Sequence, residues 1–212
     1  ESAFSGCTAL TTVTLPLSVT SVGESAFSGC TALKTVTLNN SGTIGNRAFY
    51  GCTALTRVNI GSGVTGFNAF SYLGTYYYPF SGCSKLSEVN VADLASFLKI
   101  VNLFCLTNSY YGTAEEKTLM VNGVTHSSSS ELVIPEGVTE IPKVAFRYFK
   151  NVTKIWIPST MTKIANNNFK DHTYLKRILL PYTVTSVGSG AFSGCTNLDR
   201  IVCEANTPPA TT

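Results

Sequence analysis

Apolar and polar positions along this chain recur with a period of about 23 residues. A phenylalanine falls at Phe4, Phe27 and Phe49, and again at Phe146, Phe169 and Phe192, in steps of 23 and 22 and later of 23 and 23. Each marks a short motif, such as "AFSGCTAL" at 3–10 and 26–33, "AFYGCTAL" at 48–55 and "AFSGCTNL" at 191–198. Between motifs the pattern alternates. In "TVTLP" (12–16) Val13 and Leu15 point one way and Thr12 and Thr14 the other, which is strand periodicity. The proline stops the strand, and "VTSVG" carries the chain back. "ESAFSG" is long enough for one helical turn, and its glycine suits a left-handed exit. One such coil cannot bury its own apolar side, so coils must stack, with their strands about 4.8 Å apart in a parallel sheet.

Inward strand pairs predict eight coils: Val13/Leu15, Val36/Leu38, Val58/Ile60, Val89/Val91, Leu132/Ile134, Ile155/Ile157, Ile178/Leu180 and Ile201/Cys203. Two stretches break the period. Residues 71–80, "SYLGTYYYPF", separate two candidate repeat phenylalanines, Phe70 and Phe80. Residues 92–131 form a longer insertion: a short helix capped by Asp93, the polar stretch "NSYYGTAEEK", an extra strand and turn at "TLMVNG", and the loop "THSSSS". The expected fold is an α/β leucine-rich-repeat solenoid, right-handed, with a parallel sheet of about eight short strands and short helical turns. It runs over 1–212 as one domain with insertions at about 71–80 and 92–131. Because Glu1 lies inside a motif that recurs later in full, the chain reads as a fragment of a longer one.

The motif "LPxxVTSVGxxAFSGCTxL" resembles the leucine-rich repeat of BspA-like surface proteins, found in anaerobic gut and oral bacteria and in some protist parasites. The closing "CEANTPPA" resembles the way many such domains end, and "LMVNG…ELVIPEGVTEI" resembles an island often inserted in them. The resemblance implies a secreted or cell-surface location and adhesion to host extracellular-matrix proteins and cells.

Composition narrows the function. Charged residues are only 13% of the chain and the net charge is +3, too weak and scattered for a nucleic-acid protein. No apolar run is long enough to span a membrane. Of seven cysteines, Cys7, Cys30, Cys52, Cys83 and Cys195 share one repeat slot, which Phe149 and His172 occupy in other coils. A slot that accepts phenylalanine is a packing position, so these thiols are expected to be free, buried and small. Cys105 with His172 lacks a third orienting group for nucleophilic catalysis. Glu115–Glu116 and His126 fall in polar loops, and "GSGVTG" (61–66) carries no lysine and reads as a turn. No catalytic constellation, metal site or cofactor is expected, and the chain reads as a non-enzyme.

The outward strand positions carry more. One column reads Thr12, Thr35, Arg57, Glu88, Glu131, Lys154, Arg177, Arg200; its neighbour reads Thr14, Thr37, Asn59, Asn90, Val133, Trp156, Leu179, Val202. The second half thus sets an apolar stripe (Val133, Trp156, Leu179, Val202) beside Lys154, Arg177 and Arg200. Trp and Arg are favoured contact residues. A stripe of this kind binds a ligand, is covered by the 92–131 insertion, or simply reflects the β-propensity of Val, Trp and Leu. Tyr76, Tyr77 and Tyr78 form a second candidate surface, which "SYYG" (109–112) could join, the alternative being rings that pack against the flank of the solenoid. The expected function is a binding or adhesion module for a protein or glycan ligand, without nucleic acid or membrane insertion. The alternative is a passive spacer that displays other domains.

Overall fold

The computed structural model describes all residues except 73–74, 107–115, 126–130, 144, 148, 206–208 and 212, and the side chains of 71, 72, 75, 76 and 104. The chain forms two compact units, Glu1–Gly123 and Val124–Thr212.

In the first unit the strands are β1 (Thr12–Leu15), β2 (Ser21–Val22), β3 (Thr35–Leu38), β4 (Gly42–Ile44), β5 (Arg57–Ile60), β6 (Val64–Phe67), β7 (Phe70–Tyr72), β8 (Thr75–Tyr77), β9 (Glu88–Val91) and β10 (Thr118–Val121). A parallel sheet runs β1-β3-β5-β9-β10, and the returning strands form a second one, β2-β4-β6. Register follows the repeat: Val13 pairs with Val36, Val36 with Val58, and Val58 with Val89. The second unit holds β11 (Val124–Thr125), β12 (Glu131–Val133), β13 (Lys154–Trp156), β14 (Lys163–Ile164), β15 (Arg177–Leu180), β16 (Ser186–Val187), β17 (Arg200–Cys203) and β18 (Ala210–Thr211). Its parallel sheets run β12-β13-β15-β17 and β14-β16-β18. Both units are leucine-rich-repeat β-solenoids, and their coils number about eight.

The core is built from the repeated positions. Val36, Leu38, Val58 and Val89 are fully buried, as are Ile155 and Ile178. Ile201, expected inward, is 50% exposed, because it lies on the outermost strand of its sheet. The phenylalanines stack: Phe4–Phe27, Phe27–Phe49 and Phe49–Phe80 have ring centroids 5.1, 5.3 and 5.3 Å apart and nearly parallel planes. Of the two candidate repeat phenylalanines, Phe80 therefore holds the repeat position. Phe70 is 49% exposed on an antiparallel hairpin formed by β7 and β8.

The helical turns expected at the phenylalanine motif do not form. Among the described residues, helix is confined to α1 (Leu94–Phe97) and a 3-10 turn (Leu103–Leu106), both in the long insertion. The reason lies in the backbone donors. Ser2, Phe4 and Gly6 send their N–H groups to Glu24, Ala26 and Ser28 of the next coil, at 2.9, 2.8 and 2.7 Å, instead of along their own chain. Left-handed residues at Ser25 (φ 54°) and Gly29 (φ 72°) permit this and interrupt any helical run. In the insertion, Asp93 caps α1 by accepting from Ser96 N at 2.8 Å, and "TLMV" forms β10 as a fifth parallel rung.

Candidate functional site

The face of the second unit is set by three strand pairings. Val133 lies opposite Trp156, Trp156 opposite Leu179, and Leu179 opposite Val202. The same pairings align Glu131, Lys154, Arg177 and Arg200. Strand alternation sends Leu132, Ile155 and Ile178 to the core and these two columns outward. Val133 is 64% exposed, while Trp156, Leu179 and Val202 are half-buried. The apolar stripe beside the charged row is therefore accessible from solvent.

Glu131 organises one end of this face. Its carboxylate accepts from Lys154 Nζ through one oxygen and from Trp156 Nε1 at 3.0 Å through the other. Lys154 Nζ also sits 4.8 Å from the centroid of the Trp156 ring, a cation–π distance. The Lys154 ammonium foremost, with the indole as a lesser aid, holds the Glu131 carboxyl below the usual carboxylate range against the opposing effect of desolvation. The indole is thus fixed in orientation before any ligand arrives. Arg177 is more loosely tied, its Nε 3.8 Å from Asp199, and Arg200 is exposed with no ion pair among the described residues.

The tyrosine cluster divides. Tyr78 is buried, 4% exposed, with Phe80 nearby in sequence and in the core. Tyr77 is half-buried, with the Arg47 guanidinium 3.6 Å over its ring. The side chain of Tyr76 and the stretch 109–112 lie outside the described residues, as do Glu115 and His126.

The repeat cysteines form a ladder of thiols bonded to backbone. Cys30, Cys52 and Cys83 donate to the carbonyls of Phe4, Phe27 and Phe49 at 3.2, 3.2 and 3.1 Å, and Cys195 to that of Phe169 at 2.9 Å. Each side chain thus points at the coil before it, and none of the seven cysteines is in a disulfide. Burial pushes the Cys30 and Cys195 thiols up and takes Cys105 to about 12, so none of these is an activated nucleophile. His172, in the same slot, is fully buried, and neither ring nitrogen has a hydrogen-bond partner among the described residues. Burial lowers it to about 4, which keeps the ring neutral. Among the described residues no group of three or more His, Cys, Asp or Glu could hold a metal ion.

A second feature was not singled out from the sequence. On the first unit, Asn59 Nδ2 donates to Thr37 Oγ1 at 3.0 Å, Asn90 Nδ2 to Asn59 Oδ1 at 3.2 Å, and Gly123 N to Asn90 Oδ1 at 2.9 Å. This amide ladder borders an open groove of about 360 Å³ whose other walls include Asn39, Gly61, Ala92 and Asn122. The signal was present in the repeat. The residue after the inward pair is Pro16, Pro135, Pro158 or Pro181 in four coils, but Asn39, Gly61 and Ala92 in three consecutive ones.

The family described as BspA type leucine rich repeat region matches the sequence in six copies, over residues 1–100 and 123–208. No curated protein matches it. Among solved structures, a leucine-rich repeat protein from Bacteroides ovatus is 24% identical, with a TM-score of 0.54, covering 90% of this chain and 45% of that one. A leucine rich cell surface protein from Faecalibacterium prausnitzii is 21% identical, with a TM-score of 0.43, covering 97% of this chain and 63% of that one. The chain therefore spans less than two thirds of the length of either, and the likeness concerns the fold.

Proposed function

Since the chain belongs to the BspA-type leucine-rich repeat family, we propose that it is a non-enzymatic binding module of a secreted or cell-surface protein, and that the second unit docks a protein ligand. The family supports the location, because BspA-type repeats are generally carried by surface proteins. Among the described residues no helix is long and apolar enough to cross a membrane. The observation that carries the reading is the orientation of Trp156 by Glu131 within an accessible apolar stripe, beside the exposed arginines Arg177 and Arg200. A rigid indole loses little entropy on contact, and Trp and Arg dominate the energetics of protein interfaces. The sheet supplies flatness and rigidity, and the arginines supply hydrogen bonds to carboxylates on the partner.

Adhesion to host matrix is the form of this activity that the family suggests. Immobilised extracellular-matrix proteins serve as probes, read by surface plasmon resonance. The Trp156→Ala/Arg177→Ala double variant should bind its matrix partner at least about tenfold more weakly. Binding that is unchanged in the folded double variant would remove the sheet face as the site. Failure of the parent protein to bind any matrix protein would favour the spacer reading.

A further inference from the structure

The groove on the first unit carries a different chemistry from the Trp156 face, and it does not depend on that face. Its walls come from four asparagines, two glycines, Ala92 and Ile60, and no titratable side chain lines it. The ladder uses part of each amide and leaves the rest. An asparagine has two N–H donors and an oxygen with two lone pairs. Asn59 spends one donor on Thr37 and one lone pair on Asn90; Asn90 spends one donor on Asn59 and one lone pair on Gly123. One donor and one acceptor position therefore remain on each amide. The ladder fixes which way each amide faces, so the remaining groups are oriented in advance. Successive rungs are about 4.8 Å apart.

The space itself is specific to these coils. Where other coils place a proline ring after the strand, these place Asn39, Gly61 and Ala92. A Cβ built at Gly61 would stand 3.0 Å from Asn39 Oδ1 and 3.0 Å from the Leu38 carbonyl, so even a methyl group would crowd the floor. A volume of about 360 Å³ falls in the range of small-molecule sites.

We propose that this groove binds a neutral oligosaccharide segment through the free amide positions of Asn59 and Asn90. Vicinal sugar hydroxyls each donate and accept, which matches an amide that presents one N–H and one lone pair side by side. An anionic ligand would find no cation in the groove. A peptide would find no deep apolar pocket for an anchoring side chain.

The test uses the whole chain and linear neutral hexasaccharides of glucose, mannose, galactose and N-acetylglucosamine, with sulfated hexasaccharides as charged counterparts. Binding is read by calorimetry. At least one neutral hexasaccharide should bind, and its affinity should survive ionic strength of about 1 M, where Coulombic attraction is screened. Asn59→Ala/Asn90→Ala and the groove-filling Ala92→Leu should each weaken it at least about tenfold, with circular dichroism confirming the fold. Trp156→Ala should leave it unchanged, which separates this site from the protein-docking face. The proposal is overturned if no neutral hexasaccharide binds, if only the sulfated ones bind and salt abolishes it, or if both folded groove variants bind like the parent.

Discussion

The indole N–H of Trp156 donates to Glu131 Oε2 at 3.0 Å, across one step of the sheet. The same carboxylate holds Lys154. Glu131 has its carboxyl lowered by these partners, Lys154 foremost. The sign follows: the anchoring is complete above the ordinary carboxylate pKa of 4.5 and is lost as pH falls through the lowered folded value. Fluorescence of the one tryptophan in the chain should therefore shift with a midpoint below 4.5, and Glu131→Gln should abolish that transition. A midpoint at or above 4.5, or its persistence in the variant, would contradict the anchoring.

His172 makes the second unit acid-sensitive at higher pH. The buried ring is lowered to about 4 from 6.5. Between those values the unfolded chain binds the proton and the folded chain does not, so stability rises with pH across that window. The full span corresponds to roughly 3 kcal/mol by linkage. Denaturation followed through Trp156 should lose stability from pH ~6.5 down to ~4. His172→Cys, which restores the residue of the other coils, should flatten that slope.

Gly42 and Gly51 both have positive φ but different surroundings. Gly42 lies at φ 147°, and a Cβ there would stand 1.9 Å from the Thr20 carbonyl oxygen; Gly51, at φ 67°, faces open space. Gly51→Ala should cost about 1 kcal/mol for the left-handed conformation alone. Gly42→Ala should cost more than about 3 kcal/mol, since the obstacle is backbone. Urea denaturation by circular dichroism ranks the two, and equal costs would refute the steric argument.

The thiols should titrate in classes. Cys7 is exposed, Cys195 and Cys203 are intermediate, and Cys30, Cys52, Cys83 and Cys105 are buried. Against an aromatic disulfide reagent near pH ~8, Cys7 should react first and the buried four only on unfolding. Recovery of fewer than seven thiols in the denatured protein would show an intramolecular disulfide and displace the packing role of the slot.

Phe49 is fully buried between Phe27 and Phe80 in the ring stack, whereas Phe4 is 51% exposed at its end. Phe49→Ala should cost about 3–5 kcal/mol and Phe4→Ala clearly less. The contrast is measurable in the same urea titrations, and equal losses would argue against the stack as a core element.

By itself the sequence determined the coil and its register. A period of about 23 repeats the same inward and outward positions, so the alignment of Val133, Trp156, Leu179 and Val202 could be read before any coordinates. The cysteine slot was legible for the same reason, because Phe149 and His172 share it. Tertiary structure decided what depends on groups far apart in the chain. The "AFSGC" segments are turns rather than helices, because alternate N–H groups bond the next coil and no local pattern records that choice. Phe80 outranks Phe70 only through its stack on Phe49. Glu131 reaches Trp156, and Asn90 reaches Asn59 and Gly123, because stacking brings side chains more than 20 residues apart to hydrogen-bond distance. The period supplied the scaffold; the contacts that orient an indole or an amide arise only between its turns.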